Sequence, residues 1–238
     1  MPRSVDQGSL IWSKLEEGMR LYWITVPAGL ALACTGLLLW RLGSAAHYTV
    51  SDVQPSIVRH LVTEQMIAET AAEANKLEST ITTTDVDGHK RTLGSHDGAK
   101  PQFVYFVLDG CPCSYDAEPL FHDLYKQFDG KIDFVSVTNA SLDKAKQWSG
   151  DLNVPYPVIP DPQEKIIHAY GARAAIYSML ITKDGHIAKM WPGYSVDFLK
   201  DMNETMAKLA AVPVKPFDTK YAPKEKATGC AFSDPNFK

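Results

Sequence analysis

The pattern of apolar and polar positions divides the chain into a membrane-like segment, an alternating domain and a polar tail. Residues 21–40 form a run of twenty residues without a charge, and about 20 apolar residues are needed for a helix to cross a bilayer. We therefore expect a transmembrane helix over residues 21–42. A cleavable signal peptide is the alternative, because small residues suited to cleavage follow at 44–46.

Basic residues near this run predict its orientation. Arg3, Lys14 and Arg20 precede it, whereas only Arg41 follows it closely. Because Lys and Arg are enriched on the cytoplasmic side of a membrane, we expect residues 1–20 to be a cytoplasmic segment. The rest of the chain is then expected outside the cytoplasm, held by a single-pass membrane anchor.

A linker and stalk helix are expected over residues 43–77. Residues 56–77 carry apolar side chains at an approximate helical period, namely Ile57, Leu61, Ile67, Ala71 and Ala74. We expect this helix to pack on the domain that follows.

Residues 78–211 alternate between strand-like and helix-like patterns, which predicts an α/β domain. A nearly continuous apolar run at 101–109 predicts a strand buried on both faces. Further strands are expected at 132–138 and 157–159, helices at 114–128, 142–152, 163–170 and 196–209, and hairpins around 87–88 and 183–185. This order implies a mixed sheet with helices on both faces. Residues 212–238 hold four prolines and five lysines, so we expect an extended tail.

Composition excludes some classes of protein. Lys and Arg number 24 against 28 Asp and Glu, a net charge of −4, so we expect no nucleic-acid partner. An apolar fraction of 45% is typical of a globular protein rather than a disordered one. Four cysteines are too few for a disulfide scaffold but enough for one redox or metal site.

Residues 109–114, Asp-Gly-Cys-Pro-Cys-Ser, carry the strongest chemical signal. They follow a predicted buried strand and precede a predicted helix, whose N-terminus offers free N–H groups and the positive end of its dipole. Both favour the thiolate, the nucleophilic form of cysteine, so Cys111 and Cys113 are candidate catalytic residues. Asp109 opposes this effect with its negative charge. Two small buried residues that only pack are the structural alternative.

These residues resemble the redoxins, the thioredoxin-fold members of the alkyl hydroperoxide reductase/thiol-specific antioxidant superfamily, and the membrane-anchored periplasmic thioredoxins. Such proteins often carry Cys-Pro-x-Cys after a hydrophobic strand, with a proline eight positions after the first cysteine, the spacing of Cys111 and Pro119. Residues 152–171 and 179–187 resemble the family's edge-strand region and hairpin. The resemblance covers residues 78–210, and it implies a thioredoxin-like domain on the periplasmic side of a bacterial inner membrane.

The motif departs from the family pattern at several positions. When the first cysteines are aligned, Ser114 stands where the second cysteine belongs, and Cys113 stands one residue early. The cis-proline of thioredoxins falls near Ile176, and their buried carboxylate falls near Tyr105. Leu108 stands where peroxiredoxins carry threonine. The resemblance therefore implies the fold more firmly than an activity, with a degenerate active-site motif.

Three cysteines follow the predicted membrane segment, and their pairing stays open. Cys111 can pair with Cys113, with Cys230 or with a partner protein. Residues two apart on a helix do not face each other, so the first pairing requires non-helical backbone. Cys230 lies beside Gly229 and the apolar Phe232 on a tail long enough to fold back, and a returning tail cysteine is a resolving thiol in the resembled superfamily. If the tail docks near the start of the helix after the motif, Cys230 reaches Cys111 or Cys113.

Metal binding is another chemistry that thiols permit. Two thiolates suit Cu(I) or Zn(II), and copper-delivery proteins with the resembled fold add a later histidine, for which His168 and His186 are the candidates. Their cysteines are more widely spaced than those here. We therefore expect no metal and no other cofactor, with copper delivery kept as a minor alternative beside peroxiredoxin-type peroxidase activity.

Two functions lead. The first is a membrane-anchored extracytoplasmic thiol-disulfide oxidoreductase, with Cys111 as nucleophile and Cys113 or Cys230 resolving the mixed disulfide. The second is a non-catalytic thioredoxin-like accessory subunit of a larger membrane protein complex, favoured by the degenerate motif, the single span and the tail. In either case we expect the membrane and a protein partner to be bound.

Overall fold

The computed structural model describes residues 59–94 and 98–233. The predicted cytoplasmic segment 1–20 and transmembrane helix 21–42 lie outside these residues. Among the described residues, no helix is both long enough and apolar enough to cross a bilayer. The described residues comprise the predicted domain, the residues just before it and most of the tail.

Nine strands and five helices occur within the described residues. The strands are β1 (His60–Leu61), β2 (Ile81–Thr84), β3 (Lys90–Leu93), β4 (Gln102–Val107), β5 (Asp133–Thr138), β6 (Val158–Pro160), β7 (Ser178–Ile181), β8 (Ile187–Trp191) and β9 (Ala227–Thr228). The helices are α1 (Glu64–Ala71), α2 (Pro112–Phe128), α3 (Leu142–Asp151), α4 (Lys165–Ala169) and α5 (Val196–Ala210). From the first hairpin to the last helix, the elements follow the order that the sequence predicts.

Strand β4 lies in the middle of a five-stranded mixed sheet with the order β6-β5-β4-β7-β8. It pairs in parallel with β5 and antiparallel with β7, and residues 103–107 are all buried. A central strand covered on both faces needs apolar side chains at every position rather than at alternate ones. The continuous apolar run therefore folds as predicted. Strands β2 and β3 form a separate hairpin.

Helix α2 follows β4 after a short loop and begins at Pro112. Proline suits the first helical position because its missing N–H would have no partner there. Most of one helix face is buried, and α2 contacts α5. The start of α2 thus lies beyond the carboxyl end of β4, where open α/β sheets place their reactive groups.

The predicted helix over residues 56–77 is wrong for most of its described length. Only α1 is helical, and it begins after Thr63, whose side chain accepts a hydrogen bond from the Met66 N–H. Asn75 then takes a left-handed conformation with φ of 66°, and its N–H donates to the Ile187 carbonyl at 2.8 Å. Residues 72–75 therefore form a turn, and residues 76–77 pair with residues 186–187 as extended chain instead of continuing the helix.

The tail is extended, as predicted, but it is not a free appendage. Strand β9 pairs antiparallel with β1. Tyr194 and Ala227 exchange two backbone hydrogen bonds of 2.8 and 3.0 Å, and Ala227 and Phe232 are buried. Residues 226–233, called the tail latch below, therefore lie between β1 and the segment before β7.

Candidate active site at the start of helix α2

Cys111 lies directly before helix α2 and caps it with extended backbone, φ −79° and ψ 118°. Gly110 has φ of 77°, which glycine adopts without strain, and so the chain can turn sharply here. The Cys111 N–H donates to the Leu108 carbonyl at 3.1 Å, which closes the turn. Only 1% of Cys111 is exposed, so its thiol is fixed in a buried position at the positive end of the helix dipole.

The thiols of Cys113 and Cys230 lie beside the Cys111 sulfur and stabilise its thiolate. The backbone N–H of Cys230 donates to the same sulfur at 3.2 Å. The bond from the Cys113 thiol is the main cause that lowers the pKa of Cys111 well below its usual range, burial opposes it, and the contacts from Cys230 and the Cys113 N–H support it. Cys111 is therefore a thiolate at neutral pH, surrounded by donors.

The two neighbouring cysteines remain protonated at neutral pH. The pKa of Cys113 is raised, mainly by its interaction with Cys111 and next by burial. The pKa of Cys230 is also raised, mainly by burial and next by its interaction with Cys111. None of the three cysteines is in a disulfide in this structure, so the site holds the Cys111 thiolate with two thiols beside it.

Cys111 and Cys113 touch although they are two residues apart. The backbone of Cys111 is extended rather than helical. Non-helical backbone is what a pairing of Cys111 with Cys113 requires. Cys113 is 1% exposed, and the nearby backbone N–H of His60 lowers the pKa of its thiol slightly against the larger raising effects. Strand β1, which precedes residues 78–210 in the chain, thus covers Cys113.

The tail latch brings Cys230 to Cys111 by pairing with the chain before β7. The Ala175 N–H donates to the Cys230 carbonyl at 2.9 Å, and the Gly229 N–H donates to the Ala175 carbonyl at 2.9 Å. The Phe232 N–H donates to the Arg173 carbonyl at 3.0 Å. The latch is therefore an added antiparallel strand, which puts its cysteine directly on Cys111, as expected if the tail folds back.

Ile176 is the residue near which the resemblance to thioredoxins predicts the position of their cis-proline. The described residues contain no cis peptide bond, and Ile176 has φ of 71°, a conformation that β-branched residues rarely adopt. Its N–H donates to the Phe106 carbonyl at 2.7 Å. This bond to the central strand holds the unusual backbone and sets the position of Ala175 beside the latch.

Ser114 has a structural role in place of a second catalytic cysteine. It is fully buried, and its hydroxyl accepts from the Leu108 N–H and donates to the Leu108 carbonyl, both at 3.2 Å. Asp109 is paired with Lys144 at 2.7 Å, and its N–H donates to Asn139. The loop before Cys111 is therefore fixed, and the Asp109 charge that opposes a thiolate is compensated at the surface.

A buried carboxyl group lies two helical turns after Cys111. Glu118 accepts hydrogen bonds from the hydroxyls of Tyr105 and Tyr156, and burial raises its pKa to about 7 against the lowering effect of these bonds. In the sequence, Tyr105 is recognisable only as the residue near which the buried carboxylate of thioredoxins is missing. The signal that could have found Glu118 is its position one residue before Pro119 on the apolar side of α2.

A second cluster lies beside Cys113 and was also missed. Asp116 is buried, and it pairs with Arg59 at 2.7 Å and accepts from the Tyr194 hydroxyl. Burial is the main cause of the raised pKa of Tyr194, and the hydrogen bond to Asp116 and the charge of that carboxylate raise it further. The spacing of Cys113 and Asp116, three residues on a helix, is the signal that places them on one face.

One protein-family model matches the chain. The model of the AhpC/TSA family matches residues 71–190, half of the chain. The chain belongs to the AhpC/TSA family. The resemblance predicted from the motif around Cys111 is thereby confirmed at the level of the superfamily.

Solved structures confirm the thioredoxin-like fold of this AhpC/TSA chain. An uncharacterized conserved protein from Geobacillus kaustophilus is 16% identical, with a TM-score of 0.55 over 69% of this chain and 94% of that one. A putative thiol:disulfide interchange protein DsbE from Chlorobium tepidum is 14% identical, with a TM-score of 0.53 over 58% and 97%. Peroxidoxin BcpB from Mycobacterium tuberculosis is 18% identical, with a TM-score of 0.50 over 59% and 98%. No curated protein matches the chain.

The histidines considered for a copper site in this AhpC/TSA chain lie elsewhere. His168 contacts the Ser233 carbonyl at 2.8 Å, and His186 pairs with Asp184. Within residues 59–94 and 98–233, the groups compact enough to hold a metal ion include no cysteine. The structure thus brings together the three predicted cysteines and leaves the two histidines apart from them.

Proposed function

We propose that the chain is a membrane-anchored extracytoplasmic thiol-disulfide oxidoreductase with Cys111 as its nucleophile. The observation that carries this proposal is the contact of two protonated thiols with one buried thiolate. Thiol-disulfide exchange needs a thiolate to attack and a second thiol to resolve the product. Cys111, Cys113 and Cys230 supply both within one cluster.

The exchange proceeds in two steps. The Cys111 thiolate attacks one sulfur of a polypeptide disulfide, so a bond forms between Cys111 and that sulfur, the substrate S–S bond breaks, and the second substrate sulfur leaves as a thiolate and takes up a proton. A second chain thiol then loses its proton and attacks the Cys111 sulfur, which releases the first substrate sulfur. The substrate gains two electrons, and two chain thiols become a disulfide. A dithiol reductant returns the chain to its starting state.

Cys113 is the resolving thiol in this proposal. A substrate sulfur reaches the buried Cys111 only after the tail latch leaves, since Cys230 lies directly on Cys111. Cys113 belongs to helix α2 and stays in place when the latch moves. When the latch leaves, strand β1 loses its pairing with β9, but the neighbouring Arg59, Asp116 and Tyr194 cluster still ties the start of β1 to helix α2 beside Cys113.

The membrane anchor and the extracytoplasmic side are supported by the sequence. Residues 21–40 carry no charge, and the basic residues lie before them, as the positive-inside rule requires for a cytoplasmic N-terminus. A phosphatase reporter fused after Lys238 tests this part separately. Because such a reporter is active only outside the cytoplasm, we expect the fusion to be active, and a fusion that is expressed but inactive contradicts the proposed topology.

Reduction of insulin disulfides by the full-length chain, with a dithiol as electron source, tests the activity. We expect Cys111→Ser to abolish the reaction and Cys113→Ser to arrest it as a mixed disulfide. Cys34→Ser is the matched control, because this fourth cysteine lies in the predicted membrane segment. If wild-type chain and Cys111→Ser chain reduce insulin at the same rate, Cys111 is not the nucleophile.

The accessory-subunit function is the second candidate, and one observation favours it. Cys111 and Cys113 are each only 1% exposed, because the latch and β1 cover them. A binding module whose thiols are permanently closed has this arrangement too. Absence of insulin reduction after complete removal of residues 212–238 would favour the accessory subunit.

A further inference from the structure

The tail latch shows how an extended segment with a cysteine fits this site. It pairs as a strand with residues 173–175 through three backbone hydrogen bonds. Main-chain pairing of this kind provides affinity with little regard to sequence, and side-chain fit provides specificity. When the latch leaves, the N–H and carbonyl of Ala175 and the carbonyl of Arg173 lose their partners. Another extended segment in the same place restores these hydrogen bonds through its own backbone.

The fit is tight at the residue before the cysteine. A Cβ atom built on Gly229 would lie 2.6 Å from the Ala175 Cβ and 3.0 Å from the Ala175 carbonyl oxygen. The first distance is shorter than real Cβ contacts, so one of the two segments must shift. Ala175 itself is fully buried, and its neighbour Ile176 is tied to strand β4. The Ala175 side therefore cannot yield easily, and only glycine fits at this position of the latch.

We propose, resting on the proposed function, that Ala175 is a specificity-determining residue that selects partner polypeptides with glycine directly before the reacting cysteine. The latch sequence Gly229-Cys230 is the built-in example of such a segment. A partner with a larger residue there meets Ala175 before its sulfur reaches Cys111. The proposed substrate class is thus an extended polypeptide disulfide with a Gly-Cys pair.

Two peptides test this selection. Both follow residues 226–233, Lys-Ala-Thr-Gly-Cys-Ala-Phe-Ser, and the second has alanine in place of glycine. Their cysteine is bound to thionitrobenzoate as a disulfide. The full-length chain carries Cys113→Ser and Cys230→Ser, so that only Cys111 reacts at the site. The Cys111 thiolate attacks the peptide sulfur, and thionitrobenzoate leaves as a coloured thiolate whose release gives the rate.

We expect the glycine peptide to react about tenfold faster or more, the discrimination typical of one extra methyl group in a tight site. Both peptides must displace the same latch, so latch occupancy cancels from the ratio of their rates. Ala175→Gly removes the 2.6 Å contact, and we expect it to reduce the ratio to about threefold or less. An unfolded fraction would react with both peptides alike and lower the ratio by itself, so the Ala175→Gly chain is first shown by circular dichroism to be as fully folded as its parent.

The outcomes separate this inference from the proposed function. Equal rates for the two peptides, or a glycine preference that Ala175→Gly leaves unchanged, overturn the role of Ala175 while Cys111 remains a nucleophile. If neither peptide reacts with Cys111, even after removal of residues 212–238, the proposed function itself fails.

Discussion

Phe232 is expected to hold the tail latch on Cys111, and its replacement by alanine tests how the latch controls access. The side chain is 7% exposed, and burying a phenylalanine contributes about 1.5–3 kcal/mol. The Phe232→Ala chain loses this contribution from the docked state but not from the undocked one. Since about 1.4 kcal/mol corresponds to a factor of ten, the undocked fraction is expected to rise about ten- to a hundredfold.

Alkylation of Cys111 by iodoacetamide under reducing conditions measures that fraction. Cys111 is 1% exposed beneath the latch, so it reacts through the undocked state, and its rate follows the undocked population. Mass spectrometry of the Cys111 peptide separates its reaction from those of the other thiols. We expect the rate in Phe232→Ala to rise about ten- to a hundredfold, up to the rate of the chain without residues 212–238.

Phe217→Ala is the matched control, because Phe217 lies in the same tail, is half-buried, and is remote in sequence from Cys230. It is expected to leave Cys111 alkylation unchanged. An unchanged rate in Phe232→Ala, or an equal increase in both variants, would refute the view that the latch shields Cys111.

Three further predictions concern the thiols and the buried carboxyl group. Cys113→Ala removes the main donor to the Cys111 thiolate, so the pH midpoint of Cys111 alkylation, measured in chains without residues 212–238, is expected to move upward; an unchanged midpoint would contradict the assigned hydrogen bond. In the Cys113→Ser chain, oxidation to a Cys111–Cys230 bridge closes a loop across 119 positions and is expected to raise the free energy of unfolding by about 4–5 kcal/mol. Denaturant titrations of the oxidised chain measure this gain, which is expected to be absent when Cys230→Ser is added. Burial raises the pKa of Glu118 to about 7, so its neutral form stabilises the fold most below the ordinary carboxyl pKa, and stability is lost as the pH rises through about 7. Glu118→Gln is expected to remove this decline, about 3 kcal/mol at most, and a decline that persists in the variant would contradict the assignment.

Local pattern predicts most of the domain. The apolar run that becomes β4 and the apolar face of α2 are visible because burial on two faces or on one face dictates the spacing of apolar residues. The stalk region shows where this reasoning fails. Its apolar spacing suggested a helix over residues 56–77, but β1 pairs with β9 at the far end of the chain. No local pattern contains a partner so distant in sequence.

The site was predictable only in part, for the same reason. Cys111 and Cys113 stand in a recognisable motif, and the reach of Cys230 was conditional on docking of the tail. The hydrogen bonds of Glu118 to Tyr105 and Tyr156 join a helix, a strand and a loop. The register that makes these groups meet follows from tertiary packing, so neither tyrosine signals the contact by its sequence neighbours.

The cysteine that carries the partner in an arrested reaction tests the central claim most directly. Insulin chains are separated by reduction, and their cysteines are then converted to mixed disulfides. These chains are mixed with the full-length Cys113→Ser chain, and the trapped adduct is digested and mapped by mass spectrometry. The account predicts that the partner is attached to Cys111. Attachment to Cys230 with Cys111 unmodified, or no adduct while Cys111 still reacts with iodoacetamide, would contradict it.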